Sequence, residues 1–194
     1  MVQVNDRVIE EILGRSQNLL LEEVVALIER EHAHEAPGLA RETLDAYADV
    51  LGGDAAIEFD PDEFLDAIDD RLTEAETWAG SDVFYAVADD RVSVYPQYWH
   101  EALGGTVDLP AYLRFLQDEV VGVEEDFTSG AAGSGVPENS LIKIVSIVGQ
   151  ADPATVKTRL ETLRDEGELA EDADQHPEAR VQLRHRDDRR DPSL

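Results

Sequence analysis

From Gly135 to Leu169 the chain reads GVPENSLIKIVSIVGQADPATVKTRLETLRDEGEL. Apolar residues at Leu141, Ile142, Ile144, Val145 and Val148 recur at three- and four-residue steps, which predicts a compact helix stopped by Gly149. Asp152-Pro153 then supplies an acceptor for orphan amides and a proline suited to a first helical position, so a second helix opens there. Its buried stripe is Val156, Leu160 and Leu163, and Gly167 ends it. Beyond it, Leu169 and the run Arg180 to Arg184 are expected to pair as strands around the acidic loop Ala170 to Ala179. The stretch from His185 to Leu194 is polar and reads as a frayed tail.

Upstream, residues 128 to 135, TSGAAGSG, have the small, flexible composition of a linker or a mobile loop. Asp108-Leu109-Pro110 opens a helix carrying Tyr112, Leu113, Phe115 and Leu116, and Gln97 to Leu103 forms a short helix ended by Gly104-Gly105. Val83 to Val87 and Val92 to Tyr95 flank Asp89-Asp90 and read as a β-hairpin. The strongest local signal is Asp60-Pro61-Asp62-Glu63, which opens a helix expected to run to about Thr77 with Phe64, Leu65, Ile68 and Leu72 buried. Residues 6 to 31 predict a short and then a longer helix, and residues 40 to 51 a third, stopped by Gly52-Gly53.

The expected class is therefore α+β, mainly α. Residues 1–105 form an acidic helical domain with a β-hairpin, residues 106–186 a second domain with a flexible loop at 128–135, and residues 187–194 a tail.

Over roughly residues 108 to 186 the order helix, turn at Gly149 to Ala151, helix, Gly167, strand, loop, strand resembles a winged helix-turn-helix domain. GVP at Gly135 to Pro137 and LRDEGEL at Leu163 to Leu169 resemble small archaeal winged helices of regulators and replication proteins. The turn is one residue longer than the tightest helix-turn-helix pattern, and the wing is acidic. A weak internal echo runs through Asp60-Pro61, a helix, an apolar strand, an acidic break and RVSV at Arg91 to Val94. It leaves tandem winged helices and a chance recurrence at even odds.

Composition adds a second constraint. The 194 residues include 44 Asp and Glu against 16 Lys and Arg, a formal net charge of −28. Self-repulsion on that scale opposes compaction in dilute buffer, whereas at molar salt the Debye length falls to about 3 Å and the carboxylates keep the surface hydrated. Only Lys143 and Lys157 are lysines and 14 residues are arginines, which fits a halophile and predicts loss of structure at low salt. Absence of cysteine closes disulfide, thiol and thiolate-metal chemistry. With neither a leader pattern at Met1 to Asp6 nor an apolar run of membrane length, a cytoplasmic protein is expected.

Charge is distributed unevenly. Residues 1–142 carry 7 basic and 32 acidic side chains, residues 143–194 carry 9 and 12. Sparing one region of carboxylates is what a phosphate-contacting face requires. The resemblance implies that the helix from Pro153 to Glu166 is a recognition helix, with Thr155, Lys157, Thr158 and Arg159 towards DNA, and with Arg180, Arg184 and Arg186 as further contacts. A helical projection sets Ala154, Thr158, Glu161 and Asp165 opposite the buried stripe, so a plain solvated face explains the pattern equally well.

Other clusters are weaker. Tyr95, Tyr98, Trp99 and His100 around Pro96 fit a packed joint better than a base-stacking platform. His32 and His34, beside Glu31 and Glu35, lack a third ligand at telling spacing, so no metal is expected. Phosphate loops, nucleophile elbows and His-Glu protease strings are absent, and carboxylate pairs are too abundant to single out an acid and a base. The expectation is a non-enzymatic winged-helix DNA-binding regulator or replication-associated factor, without cofactor and compatible with a homodimer. The alternative is an adaptor whose winged domain binds a protein, and a deep polar pocket near Tyr98 to His100 would instead favour an enzyme.

Overall fold

A computed structural model describes residues 2–15, 19–32, 36–55, 57–88, 90–119, 135–172 and 179–184. The chain divides into two compact units, Met1–Gly104 and Gly105–Leu194. Both are mainly helical with a small sheet.

In the first unit, α1 (Asp6–Arg15) buries Val8, Ile9 and Ile12, and α2 (Leu21–Glu31) buries Val24 to Glu29. Leu20 cannot cap α2 with its side chain, so Glu23 reaches back and accepts from the Leu20 N–H at 3.0 Å. Ala36 to Gly38 lead into β1 (Leu39–Ala40), a two-residue strand that runs directly into α3 (Arg41–Gly52). Next come α4 (Pro61–Asp69), β2 (Leu72–Thr73), β3 (Phe84–Val87), β4 (Arg91–Ser93) and α5 (Gln97–Leu103). The sheet order is β1-β4-β3-β2, antiparallel except for β2 beside β3.

Asp60 caps α4 as its sequence demands, accepting from the Asp62 and Glu63 amides at 3.0 and 3.1 Å. The helix stops at Asp69 rather than near Thr77. Asp66, Asp69 and Asp70 crowd the negative end of its dipole, and their counter-charge comes from outside the helix, Arg41 of α3 paired with Asp69. Leu72, expected on the buried helical stripe, instead pairs with Phe84 in β2, and the Arg71 carbonyl accepts from the Phe84 amide at 2.9 Å. The hairpin turns through Asp90 at φ 58°, a conformation that aspartate tolerates better than most residues.

The core of this unit gathers Ile28, Leu39, Leu44, Tyr47, Leu51, Ile68, Phe84 and Trp99. Trp78 stacks on Trp99, and Tyr95 stacks on Trp99 with centroids 5.3 Å apart. Four tyrosines, one of them in the second unit, hold raised pKa values. Burial is the main cause for Tyr47, Tyr85, Tyr95 and Tyr112, because an ionised phenolate would lose its hydration.

The second unit comprises α6 (Leu109–Glu119), β5 (Val136–Pro137), α7 (Glu138–Val148), α8 (Pro153–Asp165), β6 (Leu169–Asp172) and β7 (Arg180–Leu183). Its sheet has the order β5-β7-β6, all antiparallel. Of the loop expected at 128–135, residues 128 to 134 lie outside the described residues, but Gly135 belongs to packed structure. A Cβ there would collide with the Val181 carbonyl, so only glycine lets β5 approach β7. Pro137 ends β5 and directly precedes α7. Leu109, Tyr112, Leu113, Leu141, Ile144, Val145, Val156, Leu160 and Val181 fill the core.

Candidate functional site

Asp152 sets the start of α8 by accepting from the Ala154 and Thr155 amides at 2.9 and 3.1 Å. Val156, Leu160 and Leu163 turn inward, and Ala154, Thr155, Lys157, Thr158 and Arg159 are exposed on its first two turns. Lys157 and Arg159, two residues apart, project from opposite flanks, about 200° apart around the axis. Between them lies Thr158, whose hydroxyl donates to the Ala154 carbonyl at 2.9 Å and keeps its lone pairs outward. Further along, Glu161, Asp165 and Glu166 are exposed. Arg164 is paired with Glu138 at 2.6 Å, tying α8 to the start of α7.

The arginines of the hairpin do not extend this surface uniformly. Arg180 is half-buried, and its Nη1 donates to the Gly135 carbonyl at 3.3 Å, bracing β7 against the segment entering β5. Arg184 is exposed, with its guanidinium over Gly167, which turns at φ 73°. It therefore sits beside the C-terminal end of α8, at least about 12 Å along the axis from Lys157. Arg186 lies outside the described residues. The structure thus sets Thr155, Lys157, Thr158 and Arg159 along the exposed arc of the first two turns of α8, places Arg184 at the other end, and turns Arg180 towards its own chain.

Three further clusters were open to a functional reading. Tyr95 and Trp99 are buried and stacked, and Trp78 joins them, so these rings are core; Tyr98 alone is exposed, at 44%. His32 stands 3.3 Å from the Tyr47 hydroxyl with its ring edge-on to the phenol, while His34 lies outside the described residues. Among the described residues no group of three His, Cys, Asp or Glu is placed to hold a metal ion.

The third cluster escaped sequence reasoning. Glu29 of α2, fully buried, accepts from the Val94 amide at 3.0 Å and lies 4.0 Å from His100 Nε2. That same nitrogen is 2.8 Å from Ser93 Oγ, which accepts from the Tyr95 amide at 3.0 Å. A serine relay needs its carboxylate at the other ring nitrogen and a path for substrate. Here serine and carboxylate share one nitrogen, and all three side chains are buried. The arrangement ends β4 and anchors α5 to α2. Its signal in the sequence is the position of Glu29, four residues after Val25 on the apolar stripe.

No protein-family model, no curated protein and no solved structure matches this chain. Among the described residues no helix is long and apolar enough to cross a membrane.

Proposed function

We propose that residues 105–184 form a winged helix that contacts duplex DNA through the first two turns of α8, within a tandem pair of such modules. The element order α6, β5, α7, α8, β6, β7 and the sheet order β5-β7-β6 support the winged-helix reading. One observation carries the DNA reading. Residues 153 to 160 hold two basic and no acidic side chains, in a chain where 44 of 194 residues are acidic. The cations at the start of such a helix suit phosphates, and the outward lone pairs of Thr158 between them suit a donor on a base edge at a major groove. A transcription regulator or a replication-associated factor of a halophile would both use it.

Fluorescence anisotropy of a labelled duplex, titrated at several KCl concentrations, tests this proposal. Lys157→Glu and Arg159→Glu should each weaken binding about 10-fold, since each reverses a charge within the proposed contact surface. Unchanged affinity in both variants would remove the site. A protein-binding adaptor is the second reading, favoured by Glu161, Asp165 and Glu166 on the later turns of α8. It predicts that the duplex does not bind at any salt concentration.

A further inference from the structure

Gly38 and Gly135 stand at the same place in two different sheets. Each precedes a two-residue strand, and at each a Cβ would meet the carbonyl of the residue paired with that strand's first member, Val92 for Leu39 and Val181 for Val136. The second strand residue faces an arginine in both units, Ala40 opposite Arg91 and Pro137 opposite Arg180. Each arginine donates to the carbonyl of its own glycine, Arg91 to Gly38 at 2.6 Å and Arg180 to Gly135 at 3.3 Å.

The correspondence continues along the chain. A helix follows each strand at once and buries residues at the same offsets from the glycine: Leu44, Tyr47, Ala48 and Leu51 in α3, and Leu141, Ile144, Val145 and Val148 in α7. Gly52 and Gly149 fall one residue later. The next helix has an Asp-Pro cap in both units, with the aspartate accepting from the same two amides and burial at the same positions, Phe64 and Ile68 in α4, Val156 and Leu160 in α8. The sheet order of first, third and second strand is shared, as β1-β4-β3 and β5-β7-β6. Finally, α2 packs on β4 and α6 on β7.

We infer that the chain holds two copies of one module, and that subtracting one copy from the other separates frame from polyanion-facing surface. This rests on the DNA reading above for the identity of the ligand. Arg180, shared with Arg91, belongs to the frame. Counting from the caps, Thr155, Lys157, Thr158 and Arg159 stand where α4 has Glu63, Leu65, Asp66 and Ala67. Those four residues form the contact set, and the N-terminal copy lacks it. Its hairpin is also tighter, closing from Val87 to Arg91 rather than from Asp172 to Arg180. The N-terminal copy therefore adds nothing to the grip on a duplex.

The test grafts the contact set onto α4 of the full chain with Glu63→Thr, Leu65→Lys, Asp66→Thr and Ala67→Arg. The expected result is an unchanged circular dichroism spectrum, with tighter duplex binding and a dependence of log K on log salt steeper by about two counterions. A graft that folds and leaves affinity and salt slope unchanged overturns the inference. The reverse change on α8, Thr155→Glu with Thr158→Asp, alters only exposed side chains and should cut binding at least 10-fold with no loss of helix; retained binding overturns the inference too. Arg180→Gln should lower the melting temperature and leave the salt slope as it was. If it instead flattens the slope by about one and melts as wild type, Arg180 is a contact and the subtraction fails. Should the wild-type chain bind no duplex at all, the DNA reading fails by itself. The two copies are then judged by melting: Arg91→Gln and Arg180→Gln must both destabilise, and indifference in either one sinks the shared frame.

Discussion

Replacing Arg91 by methionine keeps most of the side-chain volume and removes every donor. The guanidinium donates to Pro37 O at 2.7 Å, Gly38 O at 2.6 Å and Ala36 O at 3.3 Å, so it ties β4 to the turn entering β1 across more than 50 residues of chain. Two of these bonds are short and come from a charged donor, worth roughly 1.5 kcal/mol each in a protected site. Arg91 is half-buried, and water can replace part of the loss, which brings the expected cost of Arg91→Met to about 2 kcal/mol. For a unit of this size that corresponds to a fall in melting temperature of about 8 to 16 °C. Both tryptophans, Trp78 and Trp99, lie in the same unit, so tryptophan emission during a thermal ramp in high KCl reports that unit alone. Arg91→Lys should fall between the two, because a single ammonium cannot span the carbonyls that the planar fork reaches. A shift below about 2 °C for Arg91→Met would refute the claim that this residue holds the sheet edge.

The two caps make a paired prediction. Asp60→Ala and Asp152→Ala each remove a side chain that accepts from two amides, and each should cost about 1 kcal/mol, or roughly 4 to 8 °C of melting temperature. Tryptophan emission should follow the first, and the second should show in far-ultraviolet circular dichroism with the tryptophan transition unmoved. A second expectation concerns alkaline pH. Tyr47, Tyr85, Tyr95 and Tyr112 have folded pKa values raised above the ordinary value near 10, so the native state holds protons that the unfolded chain gives up. Their contribution is complete below about pH 10 and is lost as pH climbs above it, because stability falls wherever the native state binds more protons. A near-ultraviolet tyrosinate titration, compared with Tyr→Phe variants at these four positions, should place their ionisation above the ordinary value. Reversible ionisation of Tyr95 and Tyr112 at the ordinary value with the fold intact would contradict the burial.

Local chemistry was legible and distant chemistry was not. Asp60-Pro61 and Asp152-Pro153 announce helix starts because a cap is satisfied within three residues. The coarse class, helices with small sheets, follows from the same spacing rules. Leu72 misled because one apolar residue fits a helical stripe and a strand alike; what decided was the partner strand at Phe84, and no local pattern contains it. Leu39–Ala40 and Val136–Pro137 are too short for alternation to show, and they exist because Gly38 and Gly135 let them reach Val92 and Val181. In the candidate site, the exposed residues of α8 could be read from their period, since Val156, Leu160 and Leu163 fix the rotation. The inward turn of Arg180 could not, because an arginine at a strand edge reads the same whether it meets a phosphate or a carbonyl of its own chain.

A net charge of −28 argues against nucleic-acid contact only while charges act at a distance. The first unit carries 25 acidic and 6 basic residues and the second 19 and 10, so both would repel a duplex in dilute buffer. At molar salt the reach of each charge falls to about 3 Å, the length of a hydrogen bond, and only groups in direct contact with the duplex still count. Binding under those conditions depends on what a surface presents locally rather than on the sum over the unit. Lys157 and Arg159 on either side of Thr158 present cations and hydroxyls with no carboxylate between them, while Asp62, Glu63 and Asp66 at the matching turns of α4 present the opposite. On the proposed reading, two copies in one chain under one solvent separate the demands of salt from those of a ligand. Salt alone would acidify the first turns of both helices, and of the two only α8 lacks carboxylates over its first two turns.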